Sequence, residues 1–316
     1  MPSFESSGLV ASRDGRTTCL PFEPRPQIKK GETMNKHNSL LAACCILTVF
    51  LAGCGSSSHT TTTSNNVNGV FADAQVVGLS YTCGSTSDVT KAGGAFTCPA
   101  QSTVTFKVGG ITICSAPAQA FMTPVSCAQA SGNPSADAST PSVVATAQFL
   151  ISIGTPTGTT PGSLSTLTIT SAENTAAANL SLDFSTATQT QLQTALTAVN
   201  PGQTLVSPTA AQQELTGTIA TNVAGSYSGS YSGGSTGTWS VTIDASGNVS
   251  GSINDTKNGT SSVSGNLLNG TTYSGTASNA TWTGTVDTSK SATTGKGTYL
   301  FSGTWTNGTD SGSFTN

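Results

Sequence analysis

From Gly225 onward the chain repeats one unit at period two: a bulky residue, a hydroxyl residue, then a glycine. Tyr227-Ser-Gly229, Tyr231-Ser-Gly233, Val249-Ser-Gly251, Val263-Ser-Gly265, Tyr273-Ser-Gly275, Trp282-Thr-Gly284 and Phe301-Ser-Gly303 all follow it. Residues i and i+2 of a strand point the same way, so the bulky residue and the glycine share a face. Each glycine leaves room for a ring from the neighbouring strand, which is how a small tapered barrel is filled. The pattern predicts eight strands, near 225–231, 237–244, 247–254, 260–267, 270–277, 280–287, 297–305 and 310–315. Ser246-Gly247-Asn248, Asn258-Gly259, Asn269-Gly270 and Asn307-Gly308 supply tight-turn signals between several of them. Such a meander either closes as a barrel or stays a curved half-barrel; closure removes the edge strands and is favoured.

Between Val70 and Cys127 the alternation is less regular. Ala74 to Cys83, Ala95 to Cys98, Thr103 to Val108 and Ile111 to Cys114 read as half-buried antiparallel strands, divided by Gly93-Gly94, Pro99 and Gly109-Gly110. A small β-sandwich-like or prealbumin-like unit is expected. Residues 141–222 switch to helical spacing. Val143, Ala147, Leu150 and Ile151 mark one face of a helix over 142–153, and Leu192, Leu196 and Val199 mark another over 188–199. A third starts at Ser207-Pro208, a capping residue followed by proline at the first helical position, with Leu215 and Ile219 as its stripe.

Near the start, Lys36 precedes the apolar run Leu40 to Leu51, which closes on Leu51-Ala52-Gly53-Cys54. A basic segment, a short apolar stretch and small residues before a cysteine fit a bacterial lipoprotein signal, and the run is too short to span a bilayer. The mature chain is expected to begin at Cys54 with a diacylated thiol. Residues 34–53 are then the signal peptide, and 1–33 a start set too early or a long basic leader. Residues 54–68, rich in Ser, Thr and Asn, form a flexible tether. Residues 69–222 form the β module with its helices, and 225–316 the barrel or meander. Gly55 after the cysteine is the pattern of lipoproteins sorted to the outer membrane.

From Cys54 on there are five lysines, no arginine, eight aspartates and two glutamates, a formal charge of −5. No nucleic-acid binding is expected on that balance, because neutralising phosphates takes clustered Lys and Arg. Cys83, Cys98, Cys114 and Cys127 remain once the leader cysteines and the lipid site are set aside, and an even count in an exported chain points to two disulfides. Three pairings exist. Cys83–Cys98 with Cys114–Cys127 is favoured, each stapling neighbouring strands and closing a loop worth up to about 3 kcal/mol. A zinc site is the alternative, but the four lack a Cys-x-x-Cys pair and a nearby histidine.

Candidate chemistry is sparse. The two histidines, His37 and His59, lie in the signal and the tether, so a Ser-His-Asp triad has no base. Asp244, Asp255, Asp287 and Asp310 sit at strand ends, where side chains cap tight loops; Asp244-Ala-Ser246-Gly-Asn248 lacks the closing glutamate of a calcium loop. All three tryptophans, Trp239, Trp282 and Trp305, fall in the last module with Tyr227 and Tyr273. They either fill its core or stack on a ligand, a sugar or a small apolar molecule.

Phe71-Ala72-Asp73-Ala74, Val77-Gly78-Leu79-Ser80-Tyr81, Gly94-Ala95-Phe96, Val104 to Gly109, Ala147-Gln148-Phe149-Leu150, Leu180 to Phe184 and Leu205-Val206-Ser207 follow one another in an order that resembles a widespread N-terminal module of Gram-negative lipoproteins. The resemblance covers about residues 70–220 and implies no activity. Gly154-Thr-Pro-Thr-Gly replaces the acidic loop usual after the first helix of that module. The barrel is similar in style to avidin-like and lipocalin-like barrels, without a ligand motif of either. The sequence therefore predicts a mainly β lipoprotein of the outer membrane, held by its lipid anchor, with no catalytic residues, metal or cofactor. Its role is binding, display or adhesion toward an unknown protein or glycan partner. The alternative is a carrier with a ligand in the barrel.

Overall fold

Phe71, Tyr81, Phe96 and Phe106 meet in one aromatic cluster, and the first half of the chain folds around it. A computed structural model describes residues 66–157, 166–290 and 299–316. The signal peptide, Cys54 and tether residues 54–65 lie outside the described residues. In chain order the first strands are β1 (Asn66–Phe71), β2 (Gln75–Val77), β3 (Ser80–Cys83), β4 (Thr86–Val89), β5 (Ala95–Pro99), β6 (Thr103–Val108), β7 (Ile111–Pro117), β8 (Phe121–Met122), β9 (Thr155–Thr157) and β10 (Thr166–Thr168). One sheet is ordered β4-β3-β6-β7 and a second β5-β1-β8; β2-β10-β9 form a third. Phe71 and Phe96 of the second sheet reach Phe106 of the first at 4.7 and 5.1 Å between ring centroids, so the two sheets face each other across the rings.

Both favoured disulfides are present, Cys83–Cys98 and Cys114–Cys127. Their role differs from the expected stapling of neighbouring strands. Cys83 in β3 and Cys98 in β5 belong to different sheets, so the first bridge ties the two sheets together. Cys114 in β7 bonds Cys127 in a short helix, α1 (Pro124–Ala130). Two further expectations are corrected. Asn66 to Asn68, placed in the tether, pair with Pro99 to Thr97 as the start of β1. The single strand expected from Ala74 to Cys83 breaks at Gly78, whose φ of 82° turns the chain from β2 into a different sheet; a Cβ there would meet the Ile169 carbonyl oxygen at 2.0 Å.

Four more helices follow: α2 (Pro141–Ile153), α3 (Ser171–Ala176), α4 (Gln189–Val199) and α5 (Pro208–Val223). Ser207 caps α5 by accepting a bond from the Ala210 N–H. Thr188 and Gln191 form a reciprocal capping box on α4. The α2 pattern suggests one apolar face, but every residue from Val143 to Ile153 is buried. The reason is position: Phe149, Leu150 and Ile153 join the core under the sheets, whereas Val143, Ala147 and Ile151 join a second core shared with the C-terminal half. Enclosed between the two cores, α2 buries its polar Thr146, Gln148 and Ser152 as well.

After Ala224 the chain enters β11 (Gly225–Gly233), then β12 (Gly237–Ile243), β13 (Asn248–Asp255), β14 (Gly259–Asn269), β15 (Thr272–Ala277), β16 (Ala280–Asp287), β17 (Leu300–Thr306) and β18 (Ser311–Thr315). Each strand pairs antiparallel with the next, and β18 returns to β11, which closes an eight-stranded up-and-down barrel. The register places bulky residues opposite glycines on the inner face: Trp239↔Gly229, Val241↔Gly251, Trp282↔Gly275, Tyr273↔Gly284 and Phe314↔Gly303. The space is used. A Cβ on Gly265 would lie 2.5 Å from the Trp282 ring, and one on Gly284 would lie 2.6 Å from that of Phe314. Ser and Thr occupy the outer face, in cross-strand pairs such as Ser226 with Thr242 and Ser264 with Thr276. Polar outside and apolar inside is the reverse of a barrel embedded in lipid.

Candidate functional site

The two ends of the barrel differ. At one end, Tyr227 donates its hydroxyl to the Val223 carbonyl at 2.6 Å, and Tyr299 packs against Phe121. The turn at Gly270 lies against Ala138 and Ile219. Residues of α1, α2 and α5 share one apolar cluster with Ile243, Tyr273, Val286 and Phe301 of the barrel, so this end is plugged by the preceding part of the chain.

The other end, which carries the hairpins β11–β12, β13–β14, β15–β16 and β17–β18, is open. It holds a cavity of about 410 Å³, within the range typical of small-molecule sites. Trp239, Trp282, Trp305, Phe301 and Phe314 line its depth. Phe301 and Phe314 are the centre of this group, with Trp239 and Trp282 set nearly perpendicular against both at 5.7–6.2 Å. Edge-to-face contacts of this kind fix ring orientation and add stability beyond area burial.

Of the five aromatic residues expected at a ligand site, the three tryptophans line the cavity. Tyr227 and Tyr273 do not; both pack against Phe301 from the plugged side, as barrel core. Burial pushes the Tyr273 hydroxyl pKa up, with the nearby Tyr227 and Asp244 adding to it. Sequence reasoning overlooked Phe301 and Phe314, the residues around which the tryptophans are arranged. Their signal was available in the inward parity of Phe301-Ser-Gly303.

Among the described residues two ionisable groups line the cavity, Tyr231 and Asp255, and they bind each other. Asp255 Oδ2 accepts from the Ser235 hydroxyl and from the Tyr231 hydroxyl, the latter at 2.7 Å. Its Oδ1 accepts from the backbone N–H groups of Lys257 and Asn258 and from Asn258 Nδ2, at 2.9–3.0 Å. These bonds, Ser235 foremost and then Tyr231, hold the carboxyl far below the usual carboxylate range. Burial, the bond to Asp255 and its charge push the Tyr231 hydroxyl up. Asp244 closes the β12–β13 turn in the same manner, accepting from Ser246 and Asn248, and its pKa is lowered, chiefly by Asn248. Asp287 caps a turn through Ser289.

The indole N–H groups also differ. Trp239 and Trp305 donate to the carbonyls of Ser230 and Ser232 at 3.2 and 3.3 Å. Trp282 Nε1 is buried and has no partner among the described residues. Comparison with known proteins finds no family model, curated protein or solved structure that matches the chain.

Proposed function

We propose that this is a lipid-anchored cell-envelope protein whose C-terminal barrel binds a small ligand in its open end. The aromatic cavity of about 410 Å³ carries the reading. A display module needs no internal space, and the opposite end of the same barrel is filled by packing against the preceding helices. A binding role is favoured over a catalytic one because the cavity carboxylate, Asp255, is taken up by five hydrogen bonds and so is poorly placed to move a proton. Anchoring rests on Leu51-Ala52-Gly53-Cys54, with the outer membrane as the proposed destination. The β module of the first half is the unit that joins anchor to barrel.

All three tryptophans line the cavity, so intrinsic fluorescence reports directly on its contents. Titration with toluene and with short neutral saccharides is expected to give a saturable change for at least one of them. A flat response to every probe overturns the binding role. For the anchor, metabolic labelling with a fatty acid is expected to mark the chain and to leave a Cys54→Ala variant unlabelled.

A further inference from the structure

The cavity has two zones. Its depth is rings and aliphatic side chains, whereas its rim is amide and hydroxyl: Ser235, Asn258, Asn279 and Asn307 come one from each of the four hairpins at the open end. Contact with a purely apolar ligand would cost these polar groups hydration.

The hydrogen bonds these side chains already make define what remains. Asn258 gives its backbone N–H and its Nδ2 to Asp255, which leaves its Oδ1 as an acceptor. Asn307 does the opposite: its Oδ1 accepts from Thr309 N, Thr309 Oγ1 and Asp310 N, which leaves its Nδ2 to donate. Trp282 Nε1, which has no partner among the described residues, is fully buried and does not face the cavity, so it is not part of this set. A ligand group that both donates and accepts suits this set, and a hydroxyl does both. Charge is not called for. The Asp255 carboxylate is already taken up by five donors, and Lys257, on the same hairpin, is exposed and does not line the cavity.

We infer that the cavity takes an uncharged hydroxylated amphiphile, with its apolar part against the aromatic depth and its hydroxyls at the asparagine rim; this rests on the binding role proposed above. The class includes glycosides and polyols that carry a short alkyl or aryl group, and excludes fatty acids and alkylamines of the same length.

The test keeps the tail fixed and changes the head. Octyl glucoside, octanoate and octylammonium, each below its micelle concentration, are titrated into the full chain by tryptophan fluorescence, with toluene as a probe that has no head. The glucoside is expected to bind at least about tenfold more tightly than either ion. Asn279→Ala, and the triple variant Asn258→Ala/Asn279→Ala/Asn307→Ala, are expected to weaken the glucoside by about tenfold or less per lost hydrogen bond and to leave toluene unchanged. Because the triple variant also removes turn bonds, Asn279→Ala and the head series on the unaltered chain stand as independent readouts. Equal affinity for the three heads overturns this inference and leaves the binding role intact. Failure of toluene and all three amphiphiles to bind overturns the binding role itself.

Discussion

Asp73 lies in the turn between β1 and β2, fully buried, and neither of its carboxyl oxygens has a hydrogen-bond partner among the described residues. Burial first, and then the charge of Glu214 on α5, push its pKa well above 3.8. The folded chain therefore holds a proton that the unfolded chain releases, and the stability linked to this group is complete below about pH 3.8 and is lost as pH rises through the folded value. Asp73→Asn removes the titration at nearly constant shape. Its advantage over the unaltered chain is expected to grow steadily as pH rises, because only the carboxyl must ionise in a buried site. Denaturant midpoints measured from pH 4 to 8 check this; parallel pH curves for the two proteins refute it. Asp88, Asp183 and Asp244, whose pKa values are lowered by hydrogen bonds, give the opposite slope, but equally in both proteins.

Between neighbouring strands of the barrel, fit depends on glycine more than on the rings themselves. Gly284→Ala places a methyl group 2.6 Å from Phe314 and 2.8 Å from Phe301. The expected loss is about 1–3 kcal/mol, typical of overpacking, with a changed tryptophan emission because both rings hold Trp239 and Trp282. In the first half, Cys83 and Cys98 span 15 residues and tie two sheets, so a Cys83→Ala/Cys98→Ala variant is expected to lose about 3 kcal/mol by denaturant melting. The barrel strands were legible because a bulky residue and a glycine at i and i+2 admit one secondary structure and one packing. Less was legible before it. The first four residues of β1, Asn66-Val-Asn-Gly, carry only Val67 as a large apolar residue, and their pairing with β5 is set by partners about 30 residues away. Helices α1 and α3 are only 7 and 6 residues long, too short to show a period. The tryptophans were readable as candidates, but which of the five rings face open space depends on which end is plugged. That is decided by α5 and Phe121, outside the repeat.

At the scale of the whole molecule, the apolar cluster that runs from α1, α2 and α5 into the barrel makes the two halves depend on each other. Tryptophan emission, which arises wholly in the barrel, and the far-UV signal of the α-helices, which among the described residues lie outside it, are therefore expected to change in one shared transition on heating. Two separated transitions would show that the cluster does not couple them. The same arrangement divides the barrel into a base that the rest of the chain relies on and a lip made of four short, separate turns. Changes in the lip leave the bulky–glycine alternation and the plug alone, so selection can revise what the barrel accepts without reopening the question of whether it folds. Among chains descended from this one, substitutions are expected to gather at 234–236, 256–258, 278–279 and 307–310 and to spare the base.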